Sequence, residues 1–134
     1  MLLKLRAGEK LYINGAVIKV ERKATIELLN DATFLLESHV IQPEEAITPL
    51  RQLYFVLQTE LMGREEAPRA RKMFQTMMSD TCAAFGVGAA ADGLREAAAL
   101  AEAGRVFEAL KAIRALYPLE TGLLADKPRT PAAA

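Results

Sequence analysis

The sequence predicts an α+β fold: an N-terminal antiparallel β meander or small barrel, followed by three to four C-terminal helices. Three observations carry this. Polar and apolar residues alternate in "LLKLR", with Leu3 and Leu5 on one face and Lys4 and Arg6 on the other. Asn14-Gly15 stands between the β-prone runs "LYI" and "AVIKVE". After Thr48-Pro49 the apolar residues recur at helical spacing, as Leu50, Leu53, Tyr54, Leu57 and Leu61.

Each element follows from its residues. Gly8 breaks the first strand. Asn14 and Gly15 both tolerate the positive φ of a type I′ turn, so a hairpin is expected there. "TIELLN" and "TFLLES" flank Asn30-Asp31-Ala32 and predict a second hairpin. Pro43 begins a short turn whose positive end suits Glu44 and Glu45. Thr48 then caps a helix with Pro49 at its first position, where a missing N–H costs nothing. Gly63 ends it. A second helix is expected from Ala67 to Phe85, with Met73, Phe74, Met77, Met78, Cys82 and Phe85 as its stripe. "GVGAAADG" interrupts, and Asp92 is placed to cap a third helix ending near Gly104. A fourth runs from about Arg105 to Tyr117, and Pro118 is expected to stop it. "AEAGRVFEALKAI" resembles a single tetratricopeptide unit; without a second copy it reads as a short helical hairpin. The boundaries are a β-rich part over 1–41, a helical part over 42–124 packed on it as one domain, and a disordered tail over 125–134.

Bulk composition excludes several classes. Seventeen basic and seventeen acidic residues cancel, but not locally. Residues 1–23 hold six basic against two acidic residues, and residues 24–68 hold two against eight. One cysteine allows no internal disulfide and argues against a zinc cluster. The start, "MLLKLRAGEK", is broken by Lys4 and Arg6 and has no signal-peptide core, and no apolar run is long enough to span a bilayer. A cytoplasmic protein is expected.

The chemistry of an enzyme is thin. His39 is the sole histidine, and no Gly-x-Ser-x-Gly or phosphate-loop motif occurs. Cys82 sits on an apolar stripe, where cysteine usually acts as a small hydrophobe rather than a nucleophile for His39. Glu44 and Glu45 read as helix-start charges rather than as an acid/base pair. No enzyme, cofactor or metal site is expected. The basic strands suggest binding instead. Lys4, Arg6, Lys10, Lys19, Arg22 and Lys23, with the ring of Tyr12, are a set that can hold single-stranded RNA by phosphate contacts and stacking. Solvent-facing lysines on a sheet are the plainer alternative. The methionines of "MFQTMM" can pack in the core or line an adaptable groove for a partner.

"INGAV" at 13–17 and "QPEEAITPLRQLYFVLQ" at 42–58 resemble the FlbT family, regulators of flagellin synthesis in alphaproteobacteria. Gln42-Pro43-Glu44-Glu45-Ala46, Thr48-Pro49, Arg51, Tyr54-Phe55 and Gln58 carry the likeness, which extends to about Leu124. The resemblance implies a non-catalytic, post-transcriptional regulator. It would associate with the 5′ untranslated leader of flagellin mRNA and lower its stability or translation, together with a FlaF-like protein and flagellin. The alternative it allows is a protein-interaction module that binds FlaF or flagellin, with RNA effects indirect. The first twenty residues also resemble the carbon storage regulator family, RNA-binding β proteins. Its first-strand basic residue falls at Arg6; its second contact segment falls at "LLESHV", where Glu37-Ser38 stand in place of an arginine. These likenesses add Arg51 to the RNA-binding set, with a salt bridge to Glu44 or Glu45 as its alternative; Tyr54 joins Met73, Met77 and Met78 of the methionine-rich groove as partner-binding residues. A homo-oligomer is compatible with all of this.

Overall fold

A computed structural model describes residues 2–30, 32–63 and 65–126, with side chains as far as Gly122. The chain is α+β. Five short strands come first: β1 (Leu2–Leu5), β2 (Lys10–Ile13), β3 (Ala16–Lys19), β4 (Ala24–Glu27) and β5 (Phe34–Leu36). Single 3₁₀ turns follow at Glu37–His39 and Pro43–Glu45. Five helices complete the chain: α1 (Pro49–Met62), α2 (Ala67–Phe85), α3 (Ala89–Glu102), α4 (Val106–Ala115) and α5 (Tyr117–Asp126).

The strands form two small antiparallel sheets, β1–β4 and β3–β2–β5, rather than one meander. The first expected hairpin is present. Ile13 pairs with Ala16 around Asn14 (φ 49°) and Gly15 (φ 83°), both in the left-handed region a type I′ turn requires. The second is not. β4 pairs with β1, and β5 lies along the free edge of β2, with Ile13 opposite Phe34. Hydrophobic matching explains the choice. Leu11 and Phe34 share one buried face with Leu3 and Leu5, which a β4–β5 hairpin would separate. Asp31, in that loop, lies outside the described residues. At the other end of the hairpin, Gly8 donates to the Val20 carbonyl (2.7 Å) and Val20 donates to the Glu9 carbonyl (3.2 Å). Two residues therefore face one, a bulge that Gly8 permits at φ 80°.

The family-like stretch directs the chain from sheet to helix. The Glu45 carboxylate accepts the Gln42 N–H at 2.8 Å, a reciprocal cap on the Pro43–Glu45 turn. Gln58 clamps Ile41 at both backbone groups, accepting at 2.8 Å and donating at 2.9 Å. Thr48 Oγ1 accepts the Arg51 N–H at 3.2 Å, as the cap reading expects. Leu50, Leu53, Tyr54 and Leu57 are then fully buried in the main core, with Phe74 of α2, Leu94 of α3 and Leu110 and Ile113 of α4. Phe107 of α4 reaches the smaller core and stacks on Phe34, with ring centroids 4.3 Å apart.

Two helix-end expectations change. α3 starts at Ala89, with the Gly88 carbonyl accepting the Asp92 N–H (3.0 Å); Asp92 sits inside the first turn and accepts from Arg95 instead of capping. Pro118 does not end the helical part. It is the second residue of α5, a position where no intrahelical donor is needed, so proline opens that helix. The expected tail loses Ala125 and Asp126 to α5, and residues 127–134 lie outside the described residues. No helix among the described residues is long and apolar enough to cross a membrane.

Candidate functional site

Of the basic residues, Lys4, Lys10 and Lys19 lie in strands, Arg6 just after β1, and Arg22 and Lys23 in the segment between β3 and β4. Lys4, Arg6, Lys10, Lys19, Arg22 and Lys23 are all exposed. Lys10 and Lys19 are directly opposite each other in β2 and β3. Counting out from the turn, theirs is a non-hydrogen-bonded pair, where Cα atoms approach to about 4.5 Å. Like charges at such a position repel. Among the described residues, none of the six strand cations is in an ion pair; the ion pairs present are Arg71–Glu60, Arg95–Asp92 and Arg105–Glu108. The nearby carboxylates are bound to backbone instead. Glu9 accepts the Arg6 N–H at 2.9 Å, and Glu37 accepts the Lys10 N–H at 3.0 Å. Lys4 belongs to the other sheet and does not join the Lys10–Lys19 pair. Tyr12 is partly buried against the main core, so its ring is committed to packing.

Arg51 and Tyr54 lead to a cluster that the sequence reading did not foresee. The Arg51 guanidinium lies over the Tyr117 ring at 4.5 Å, and the Arg114 guanidinium lies 5.8 Å from the Tyr54 ring. The two tyrosines meet edge to face, with centroids 6.3 Å apart. Arg114 donates to the Tyr54 hydroxyl at 2.9 Å, and that hydroxyl donates to the His39 carbonyl at 2.6 Å. Glu120 of α5, 2% exposed, accepts the Leu50 N–H at the start of α1 at 2.8 Å. A sequence signal for this cluster exists. "RQLY" at 51–54 and "RALY" at 114–117 are the same Arg-x-Leu-Tyr pattern, and each arginine stacks on the other segment's tyrosine. Both leucines between them, Leu53 and Leu116, are buried.

Burial sets the electrostatics. Desolvation first, then the Arg114 charge, lowers the His39 pKa from 6.5, so the ring is neutral at pH 7. Desolvation raises Tyr54, against the pull of Arg114, and pushes Tyr117 up to about 12. His39 Nδ1, the Tyr117 hydroxyl and Glu120 Oε1 are buried with no hydrogen-bond partner among the described residues.

The expected partner-binding residues divide. Tyr54 lies in the core with no accessible surface, and Met78 is buried there; Met73 is half exposed and Met77 partly buried. Met78 backs a depression of about 190 Å³ with Phe74, Ala98 and Ala101, rimmed by Glu60 and Arg71. Cys82 touches the Met78 sulfur (3.8 Å), whereas His39 is engaged with the Tyr54–Arg114 cluster. Glu44 is exposed, and Glu45 serves its turn. Among the described residues no His, Cys, Asp and Glu side chains gather as a metal cluster.

Fold and site define a class: a small α+β domain with exposed cations on its strand-rich front and an arginine–tyrosine cluster packed against its helical core. Within it, the family called flagellar protein FlbT matches residues 1–124. The chain is 52% identical over 122 residues to a probable flagellum biosynthesis repressor protein FlbT of Chelativorans sp. (strain BNC1), covering 91% of this chain and 84% of that one. It is 49% identical over 126 residues to the protein of that name in Brucella ovis, covering 94% and 83%. For the one in Agrobacterium fabrum the identity is 45% over 130 residues, covering 97% and 87%. No solved structure matches. The chain belongs to the FlbT family.

Proposed function

We propose that this protein represses flagellum biosynthesis after transcription, by holding the 5′ untranslated leader of flagellin mRNA and lowering its stability or translation. The repressor part of the reading is supported by the names of the relatives. The observation that carries the RNA part is the Lys10–Lys19 pair, two like charges face to face with no carboxylate partner among the described residues. Such a pair costs stability by itself and is relieved by an anion. Arg6 and the Arg22–Lys23 bend extend the charge along the exposed chain. The reaction is binding, and no cofactor enters it.

Fluorescence anisotropy of a flagellin leader, titrated with the purified protein over a salt series, tests this. Leader-specific binding should weaken steeply with salt. An Arg6→Gln/Lys10→Gln/Lys19→Gln variant should lower the slope of log K against log salt by about 2, at roughly 0.7 for each single-strand phosphate no longer neutralised. No binding at low salt would refute direct recognition.

A second reading has one observation in its favour. Met73 is 51% exposed on α2, one turn before the partly buried Met77 and on the side away from the apolar depression. A FlaF-like protein or flagellin is the partner proposed for that face. Loss of capture in Met73→Glu, with leader binding intact, would locate the partner there.

A further inference from the structure

Arg51 and Arg114 are both partly buried, and among the described residues neither is in an ion pair. A guanidinium has five N–H donors. Arg114 gives one to Tyr54, and Arg51 makes no side-chain hydrogen bond among the described residues. Stacking on a ring orders a guanidinium but occupies none of its donors. No nitrogen of either guanidinium is among the buried unpartnered atoms, so the free donors reach solvent, where an anion can accept from them. The three buried orphan atoms, His39 Nδ1, Tyr117 hydroxyl and Glu120 Oε1, all belong to residues of this same cluster. Two guanidinium charges act on Tyr117 against the Glu120 carboxylate, and Glu9 acts on His39 from the strand side. A phosphodiester carries one negative charge and two oxygens that match a guanidinium fork.

The cluster is also joined to the basic strands. Arg114 donates to Tyr54, which donates to the carbonyl of His39; the same three-residue turn supplies Glu37, which holds the Lys10 N–H. Arg114 and Lys10 thus flank a single 3₁₀ turn. We propose that Arg51 and Arg114, ordered by their crossed stacking on Tyr117 and Tyr54, form a second phosphate site, which takes a backbone phosphate of RNA leaving the Lys10–Lys19 end of the hairpin. This rests on the RNA reading above and extends it from the strands to the helical part.

The test monitors the arginine side-chain Nε–Hε NMR signals of the full chain during titration with inorganic phosphate and with a short single-stranded RNA, beside leader anisotropy for Arg51→Gln and Arg51→Gln/Arg114→Gln. Arg51→Gln breaks no side-chain hydrogen bond within the described residues, so its fold should survive even where the double variant's does not. The expected result is movement of both arginine signals with RNA, a salt slope lower by about 0.7 for the one phosphate released, and several-fold weaker leader binding. Signals that move with inorganic phosphate alone, with leader affinity unchanged in the variants, would overturn the RNA assignment in favour of a small-anion or partner-carboxylate site. Unmoved signals would overturn the site outright. Leader binding that is lost in the strand-lysine variant but kept in Arg51→Gln also sinks this site and leaves the strand reading standing. Absence of any RNA binding by the wild type sinks both.

Discussion

In the front of the molecule every residue of β3 is exposed, with Val17 at 61% and Ile18 at 41%, while in the back Leu50, Leu53 and Leu57 of α1 have no accessible surface at all. The front core is four side chains, Leu3, Leu5, Leu11 and Phe34. The main core draws on α1 to α4 together with Leu35 of β5. The difference is one of division of labour. Helical burial holds the fold, and a two-stranded ribbon with a three-stranded sheet presents charge at little cost to that core. The most severe way to break this comparison is in the helices. Leu57→Ala should destabilise by about 2–5 kcal/mol in denaturant unfolding. By hydrogen exchange, β1 and β4 amides should exchange through openings well below the global stability, and α1 amides only through it. Equal protection in β1 and α1 would contradict the division.

Next in size comes the seam between α5 and the start of α1. The Glu120 carboxylate satisfies the Leu50 N–H, seventy residues away, where a buried helix start would otherwise leave a donor unpaired. Glu120→Ala should cost about 1–3 kcal/mol. Smaller again is the contrast between the two tyrosines. Tyr54→Phe loses both a donated and an accepted hydrogen bond and should cost about 0.5–1.5 kcal/mol. Tyr117→Phe removes a hydroxyl that is buried without a partner among the described residues and should be near neutral or stabilising. The sign with pH is fixed by the raised pKa. The folded state holds the Tyr117 proton up to about 12 against 10 when unfolded, so stability present below pH 10 is lost as pH rises through that window. Tyr117→Phe should flatten that alkaline loss. Thermal melts of the two variants from pH 7 to 11 check both statements.

Much of the fold was legible because its signals are local. The Asn14-Gly15 turn, the Thr48 cap with Pro49 and the bounds of α2 each depend on a few neighbouring residues. The β4–β1 pairing was not, since register between distant strands is decided by which faces can be buried together, and "TIELLN" and "TFLLES" look like an ideal hairpin in isolation. Pro118 misled for a related reason: proline ends one helix and begins another with equal ease, and only the packing of the residues beyond it separates the two cases. The exposure of Lys4 and Arg6 was readable from alternation, whereas β3, exposed on both faces, gives no such signal for Lys19. The Arg51–Tyr117 and Arg114–Tyr54 stacks needed two segments sixty residues apart to be compared, although the repeated Arg-x-Leu-Tyr pattern was there to be seen.

The smallest effect lies in the back, where burial works against a charge instead of for a side chain. Glu60 has 11% of its side chain exposed, and its neighbour Arg71, 3.8 Å away, is half in solvent. Desolvation raises the Glu60 pKa above 4.5, and the Arg71 charge only partly opposes it. A carboxyl whose folded pKa is raised binds its proton more tightly when folded. Stability at this site is therefore greatest below pH 4.5 and falls as pH climbs through the folded value. Glu60→Gln removes the charge but keeps the shape. Its melting temperature should exceed that of the wild type at pH 7 by a small margin, and the margin should close as the pH approaches 4. A variant less stable than wild type at pH 7 would mean that the Arg71 pair outweighs burial. The helical back would then depend on a surface ion pair, and the division between an apolar back and a charged front would be less sharp than its core suggests.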